Sequence, residues 1–218
     1  LTSHVYDIVQ ETPLAAADHL SDQLGNRVLF KREDLHPLFS FKIRGAYNRM
    51  AEFYRVGCRD GVITASAGNH AQGVAYSANM KGINATIVMP ETTPDIKIEA
   101  VRRFGGQHAN VVLHGTNFDT ASAHARALSA EHGYTLIPPF DDPDVIAGQG
   151  TIARELLEQN PNLDILFIAV GGGGCISGNP LVQRHHDWRH YRRRADYQPD
   201  RCGPRGYRAA SVPEVPQH

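Results

Sequence analysis

Lysine is scarce in this chain, four residues against eighteen arginines, so a lysine set among apolar neighbours stands out. Cysteine is scarcer: Cys58, Cys175 and Cys202 lie far apart and form no CxxC pair. That excludes a disulfide-dense secreted scaffold and fits a reducing compartment. Net charge is nearly absent, and a formal value of -1 supplies no broad electrostatic reason to bind nucleic acid or an anionic membrane. No apolar run approaches the roughly 18 residues of a membrane span. The start, Leu1-Thr2-Ser3-His4, lacks the charged-then-apolar order of a signal peptide, so a cytoplasmic protein is expected. The twelve histidines show no HExxH or comparable spacing, and no metal site is expected. Asn84-Ala85-Thr86 spells a glycosylation acceptor but opens an apolar, strand-like run, and is read as chance.

What is present is ordinary globular material: 218 residues, 41% hydrophobic, enough for one large domain or two small ones with a substantial core. Thr12-Pro13 before Leu14, Leu20 and Leu24 predicts a helix closed by Gly25-Asn26, then a strand over residues 28–30. From residue 61 strands and helices alternate. Strands are expected over 61–65, 85–89, 111–113, 135–137 and 165–170, and helices over 69–81, 93–104, 117–132 and 146–159. Such alternation argues for an α/β protein with parallel sheet and βαβ crossovers.

Three stretches carry candidate chemistry. In Ser40-Phe41-Lys42-Ile43-Arg44-Gly45-Ala46, Lys42 stands where a loop enters a helix, flanked by apolar Phe41 and Ile43. A lysine partly desolvated at a positive helix end has reason to lose its proton and become a Schiff-base nucleophile; a surface lysine on a first helical turn is the plainer alternative. Ser66-Ala67-Gly68-Asn69-His70-Ala71-Gln72-Gly73 follows a strand and enters a helix. That edge is where open α/β sheets bind ligands, and a hydroxyl, an amide and free helix N–H groups suit a carboxylate or phenolic oxygen. Ser66 and Asn69 are equally good helix caps. Gly171, Gly172, Gly173 and Gly174 follow the last expected strand and form either a flexible loop or a phosphate cradle. The GxGxxG spacing fails at Ile176, which counts against a dinucleotide site.

Together with Thr12-Pro13-Leu14, Lys31-Arg32-Glu33-Asp34, Pro138-Pro139-Phe140-Asp141 and Ile146-Ala147-Gly148-Gln149-Gly150-Thr151, these stretches resemble the threonine dehydratases. Those are pyridoxal-phosphate enzymes of the tryptophan-synthase-β fold type. The match runs nearly without interruption from about Tyr6 to Gly178. The Ser-Phe-Lys-x-Arg-Gly-Ala form is shared by dehydratases and serine racemases but not by the related cysteine synthases.

The resemblance implies a fold of two parallel-sheet three-layer subdomains, with the larger one incomplete. Residues 1–60 and 140–178 would form the large, pyridoxal-phosphate-binding domain and residues 61–139 a small domain inserted in it. It further implies that Lys42 carries pyridoxal 5'-phosphate as a Schiff base and acts as catalytic base. Phe41 would pack beside the ring, Asn69 bond its 3-oxygen, and Gly171 to Gly174 cradle the phosphate. Ser66, Ala67, Gly68, Asn69 and His70 would take the substrate carboxylate. The implied reaction is deamination of L-threonine to 2-oxobutanoate and ammonia, or of L-serine to pyruvate, as a first step of isoleucine synthesis or in threonine catabolism. Serine racemases carry a second serine where this chain has Ala67, which favours elimination over racemisation. The implied partners are a small amino-acid substrate and further copies of the chain in a homo-oligomer, with neither nucleic acid nor membrane.

After Gly178 the character changes: residues 179–218 hold eight arginines, five prolines and no lysine, without helical or strand periodicity. The family continues with an apolar helix and a strand. A basic tail is one account; a shifted reading frame is the preferred one, because codons exist for residues 185–194 that read one base on as an apolar, strand-like segment. An irregular tail is expected, in a chain that is poorly soluble or weakly active alone. Two alternatives to a working lyase remain at this level: an inactive, truncated remnant, and a dinucleotide-dependent oxidoreductase using the glycine turn.

Overall fold

A computed structural model describes residues 4–55 and 60–179. The expectations for the tail beyond Asn179, and for Cys58 and Cys202, lie outside the described residues. Four strands form a parallel sheet: β3 (Val62–Ala65), β4 (Ala85–Met89), β5 (Ala109–Leu113) and β6 (Thr135–Leu136), in the order β5-β4-β3-β6. Side chains alternate across it as a pleated strand requires. Val62, Ala85, Ile87 and Met89 face a core built with Ala71, Val74, Ala75 and Ala78 of α3 (Asn69–Lys81) and Ile98 and Val101 of α4 (Asp95–Gly105). Ile63, Ala65 and Val88 face the other way, onto Ala121 and Ala125 of α5 (Phe118–His132). Helices on both faces make a three-layer α/β unit, as alternation predicts. Asn117 caps α5 by accepting the N–H of Thr120, whose hydroxyl in turn takes the Asn117 N–H.

Before this sheet come β1 (Leu14–Ala16), α1 (Asp18–Leu24), β2 (Leu29–Lys31) and α2 (Lys42–Arg55). After it come α6 (Pro143–Gln149), α7 (Thr151–Gln159) and α8 (Gly174–Gly178). The long helix α2 packs Met50 and Phe53 into the core shared by α3 and α4.

Three expectations are corrected. The helix expected from Leu14 begins only at Asp18, because Leu14, Ala15 and Ala16 pair antiparallel with Lys31, Phe30 and Leu29. The helix expected over 146–159 is two, α6 starting at Pro143 under an Asp142 cap and α7 following the break at Gly150. The strand expected over 165–170 is not formed, and Ile165, Phe167 and Val170 stand exposed, Phe167 by 92%. A strand exists only through hydrogen bonds to a neighbour, and no strand lies beside this segment among the described residues. None of the described helices is long and apolar enough to cross a membrane.

Candidate active site

Chain order along the sheet reverses at β3: β4 and β5 succeed it on one side, whereas β6 returns to the other. Ligands of open α/β sheets bind at the carboxyl ends of strands flanking such a reversal. The segments leaving those two strands are the Ser66 loop and residues 137–140. They are tied together at one carbonyl, Ile137 O, which accepts the Thr64 hydroxyl at 2.8 Å and His70 Nε2–H at 3.0 Å.

Lys42 comes to the same place. Its Nζ donates to the carbonyl of Pro139 at 2.7 Å and stands 5.5 Å from the centre of the Phe41 ring. Burial pulls the amine below the usual lysine range, opposed by Cys175. Cys175 is itself raised by burial, so at neutral pH its thiol is uncharged and the opposition is absent. Phe140, next to Pro139, fills the space against the glycine turn. A Cβ on Gly174 would stand 2.7 Å from Phe140 O, whereas Gly171 and Gly173 look onto open space, Gly173 at φ +87. Lys42, His70, residues 137–140 and the glycine turn therefore form one constellation.

His70 is 3% exposed and neutral, its imidazole pulled down to about 4 by burial and further by Lys42, against the Ile137 hydrogen bond. With Nε2 donating to a carbonyl, Nδ1 is the unprotonated nitrogen, and it is buried without a partner. Asn69 opens α3 with its side chain exposed and making no hydrogen bond among the described residues. Ser66 Oγ accepts the N–H of Gly68, and Gly68 is the α3 cap with no side chain serving the helix. The first N–H groups of this 13-residue helix are thus left open, and side-chain capping by Ser66 or Asn69 is not what these residues do. Ala67 and Gly68 lie half-buried in the same loop.

Each residue around Lys42 has a local reason. Ser40 is buried and its hydroxyl takes the Lys42 N–H at 3.2 Å. Ile43 joins Val5, Val9 and Leu38 in a small core. Gly45 lets α2 meet α6: a Cβ there would stand 2.7 Å from Val145 O, and one on Gly148 would stand 2.5 Å from Arg44 O.

Arg44, Glu33 and Glu155 were not assigned roles from sequence. Arg44 is fully buried, its Nε and Nη2 on Glu33 at 2.7 and 2.8 Å and its Nη1 and Nη2 on Glu155 at 2.5 and 2.9 Å. Lys31 adds a second cation to Glu155 at 2.6 Å. Burial raises the Glu33 carboxyl, but hydrogen bonds from His36 and Arg44 outweigh it and leave it at about 2. A signal exists in the sequence: Arg44 and Glu155 each interrupt an apolar helix face, between Ile43 and Tyr47 and between Ile152 and Leu156. A charge there must be paired.

Comparison with known proteins gives the family and the fold. The PALP family, described as pyridoxal-phosphate dependent enzyme, matches residues 5–187. The L-threonine dehydratase biosynthetic IlvA of Pasteurella multocida is 56% identical over 178 residues, which are 82% of this chain and 34% of that protein. The mitochondrial threonine dehydratase of Schizosaccharomyces pombe is 55% identical over 180 residues, again 82% of this chain and 30% of its own length. The chain thus spans about a third of the length of these curated relatives. Among solved structures, the processed form of threonine deaminase isoform 2 from Solanum lycopersicum superposes with a TM-score of 0.77 at 54% identity, over 81% of this chain and 48% of that one. From the family match, the constellation at the sheet reversal and the shared fold, the chain belongs to the pyridoxal-phosphate dependent enzymes.

Proposed function

We propose that this chain carries the cofactor-binding front of a threonine ammonia-lyase, which converts L-threonine to 2-oxobutanoate and ammonia and L-serine to pyruvate and ammonia. The observation that carries the reading is the half-buried Lys42 amine on the Pro139 carbonyl, next to Phe140, which packs against the glycine turn. The relatives' names, threonine dehydratase and threonine deaminase, supply the substrate.

The residues present suit pyridoxal phosphate. Burial lowers the Lys42 amine, which favours the free base that meets an aldehyde, and the turn at Gly171 and Gly173 leaves room for a group no side chain occupies. Lys42 would hold the cofactor, Phe41 flank it, Asn69 meet its ring oxygen, and Gly171, Gly172, Gly173 and Gly174 receive its phosphate. When bound, pyridoxal phosphate supplies an electron sink for the substrate's α-carbon. Lys42 Nζ takes the α-proton as general base, a role that burial favours by lowering the amine's affinity for protons. The loop Ser66, Ala67, Gly68, Asn69 and His70 binds the substrate carboxylate with the open N–H groups at the head of α3. Methyl-bearing Ala67 offers no second proton donor, which favours elimination over racemisation.

Residues 61–139 act in this reading as a small domain on a large one built from 1–60 and 140–178. The whole enzyme is a cytoplasmic homo-oligomer in isoleucine synthesis or threonine catabolism. A second reading, a folded remnant without turnover, draws on the exposed Ile165, Phe167 and Val170.

Adding pyridoxal phosphate and L-threonine to the purified chain and trapping the oxoacid tests the activity. An absorbance band near the visible edge that Lys42→Ala abolishes is expected. A band that survives Lys42→Ala refutes the assignment of Lys42. A Lys42-dependent band with no oxoacid selects the remnant.

A further inference from the structure

Arg44 and Lys42 lie two residues apart on the first turn of α2, so their side chains leave the helix about 200° apart, on opposite sides. One side carries the amine. The other ends in a guanidinium whose donors engage Glu33, Glu155, the Thr151 hydroxyl at 2.9 Å and the Thr12 hydroxyl at 3.5 Å. Those partners come from three separate stretches of chain, Thr151 and Glu155 both lying on α7. Lys31 extends the cluster from Glu155 to Gln159 Oε1 at 3.0 Å, and Thr12 Oγ1 donates to Glu33 at 2.7 Å. Two cations and two carboxylates balance, and every member is hydrogen-bonded.

We infer that Arg44 is a positioning residue: by fixing the back of the first turn of α2 to residues 12, 33, 151 and 155, it sets the Lys42 amine against the Pro139 carbonyl. The inference rests on the reading above, in which Lys42 is the reacting amine. A purely stabilising role explains the cluster poorly, since a buried ion network is on balance no more stabilising than apolar residues of the same volume. What such a network does supply is direction: a planar guanidinium held by two carboxylate forks permits one orientation of the turn that carries it. The remaining walls of that turn are also unyielding, because Gly148 and Gly45 bring the backbones of α6 and α2 together and Gly73 of α3 lies under the Lys42 carbonyl.

The test is reductive methylation of the full chain as a function of pH, read at Lys42 by peptide mass spectrometry, with exposed Lys97 as internal control. In Arg44→Lys, which keeps the charge and loses the fork, the Lys42 midpoint is expected to rise toward the ordinary lysine range. Labelling at neutral pH then slows about tenfold for each unit of rise. A variant whose unfolding midpoint falls while the Lys42 midpoint stays put overturns the inference and leaves Arg44 merely structural. Should Arg44→Lys not fold, Glu33→Gln decides by the same criterion, since Glu155 still pairs the guanidinium. Incubating the unaltered chain with pyridoxal phosphate and reducing with borohydride scores the parent reading separately: a label on Lys31, Lys81 or Lys97 in place of Lys42 sinks that reading without touching the methylation result.

Discussion

His70 and Glu33 are both buried, and burial acts on them in opposite chemical senses. The neutral form of His70 is the one the fold accepts, with its imidazole at about 4 in place of the ordinary 6.5. Between those values an unfolded chain takes up a proton that the folded one refuses, so folding stability falls as pH drops from about 6.5 to about 4. His70→Asn should flatten the pH dependence of the unfolding free energy across that window, removing a change on the order of 3 kcal/mol, measured by urea melts at a series of pH values. Glu33, lowered to about 2 by its hydrogen bonds despite burial, contributes stability that is complete above about 4.5 and lost as pH falls toward 2. Glu33→Gln should leave a chain less stable at neutral pH whose loss on acidification is smaller. Lys42 was legible in the sequence as a lysine with apolar neighbours. The orphaned Nδ1 of His70 was not, because nothing in Ser66-Ala67-Gly68-Asn69-His70 says that its ring will turn inward to Ile137.

At the scale of elements, α2 is the organising helix, and its contacts explain why a glycine follows Arg44. Gly148→Ala would push a methyl against Arg44 O and the Gly45 Cα at 2.5 and 2.7 Å. Backbone on a packed helix cannot yield cheaply, so the expected loss is about 1–3 kcal/mol, seen as a lower urea midpoint. Gly171→Ala, where nothing lies within 4 Å of the added methyl, should leave that midpoint nearly unchanged. The helices of the 61–136 stretch were readable because each is bracketed by its own signals, Asn117 and Gly133 around α5 and Gly82 after α3. The start of α1 was misread at Leu14 for a different reason. Thr12-Pro13 does favour a helix start, yet pairing with residues 29–31, distant in sequence, takes Leu14, Ala15 and Ala16 into a strand.

For the whole molecule the consequence of an unpaired apolar segment is association. Ile165, Phe167 and Val170 present side chains and backbone groups that no described element covers, the condition that promotes edge-to-edge aggregation. Phe167→Ser should raise the soluble fraction and lower light scattering at a given concentration, with no fall in the unfolding midpoint; an unchanged scattering profile would count against the segment as the cause.

Composition, periodicity and local signals determined by themselves that this is an α/β protein, because helix caps and alternating apolar residues are written in neighbouring positions; Lys42 they mark only as a lysine among apolar neighbours, and its role as the Schiff-base lysine comes from the resemblance to the threonine dehydratases. Tertiary structure alone decided the strand order that reverses at β3, the meeting of His70 with Ile137 and of Lys42 with Pro139, and the pairing of Arg44 with Glu155, 111 residues away. It also decided that residues 165–170 are not a strand. Each of these depends on which distant backbone or charge arrives as partner, and a hydrogen bond or ion pair has no expression in the sequence of one of its halves.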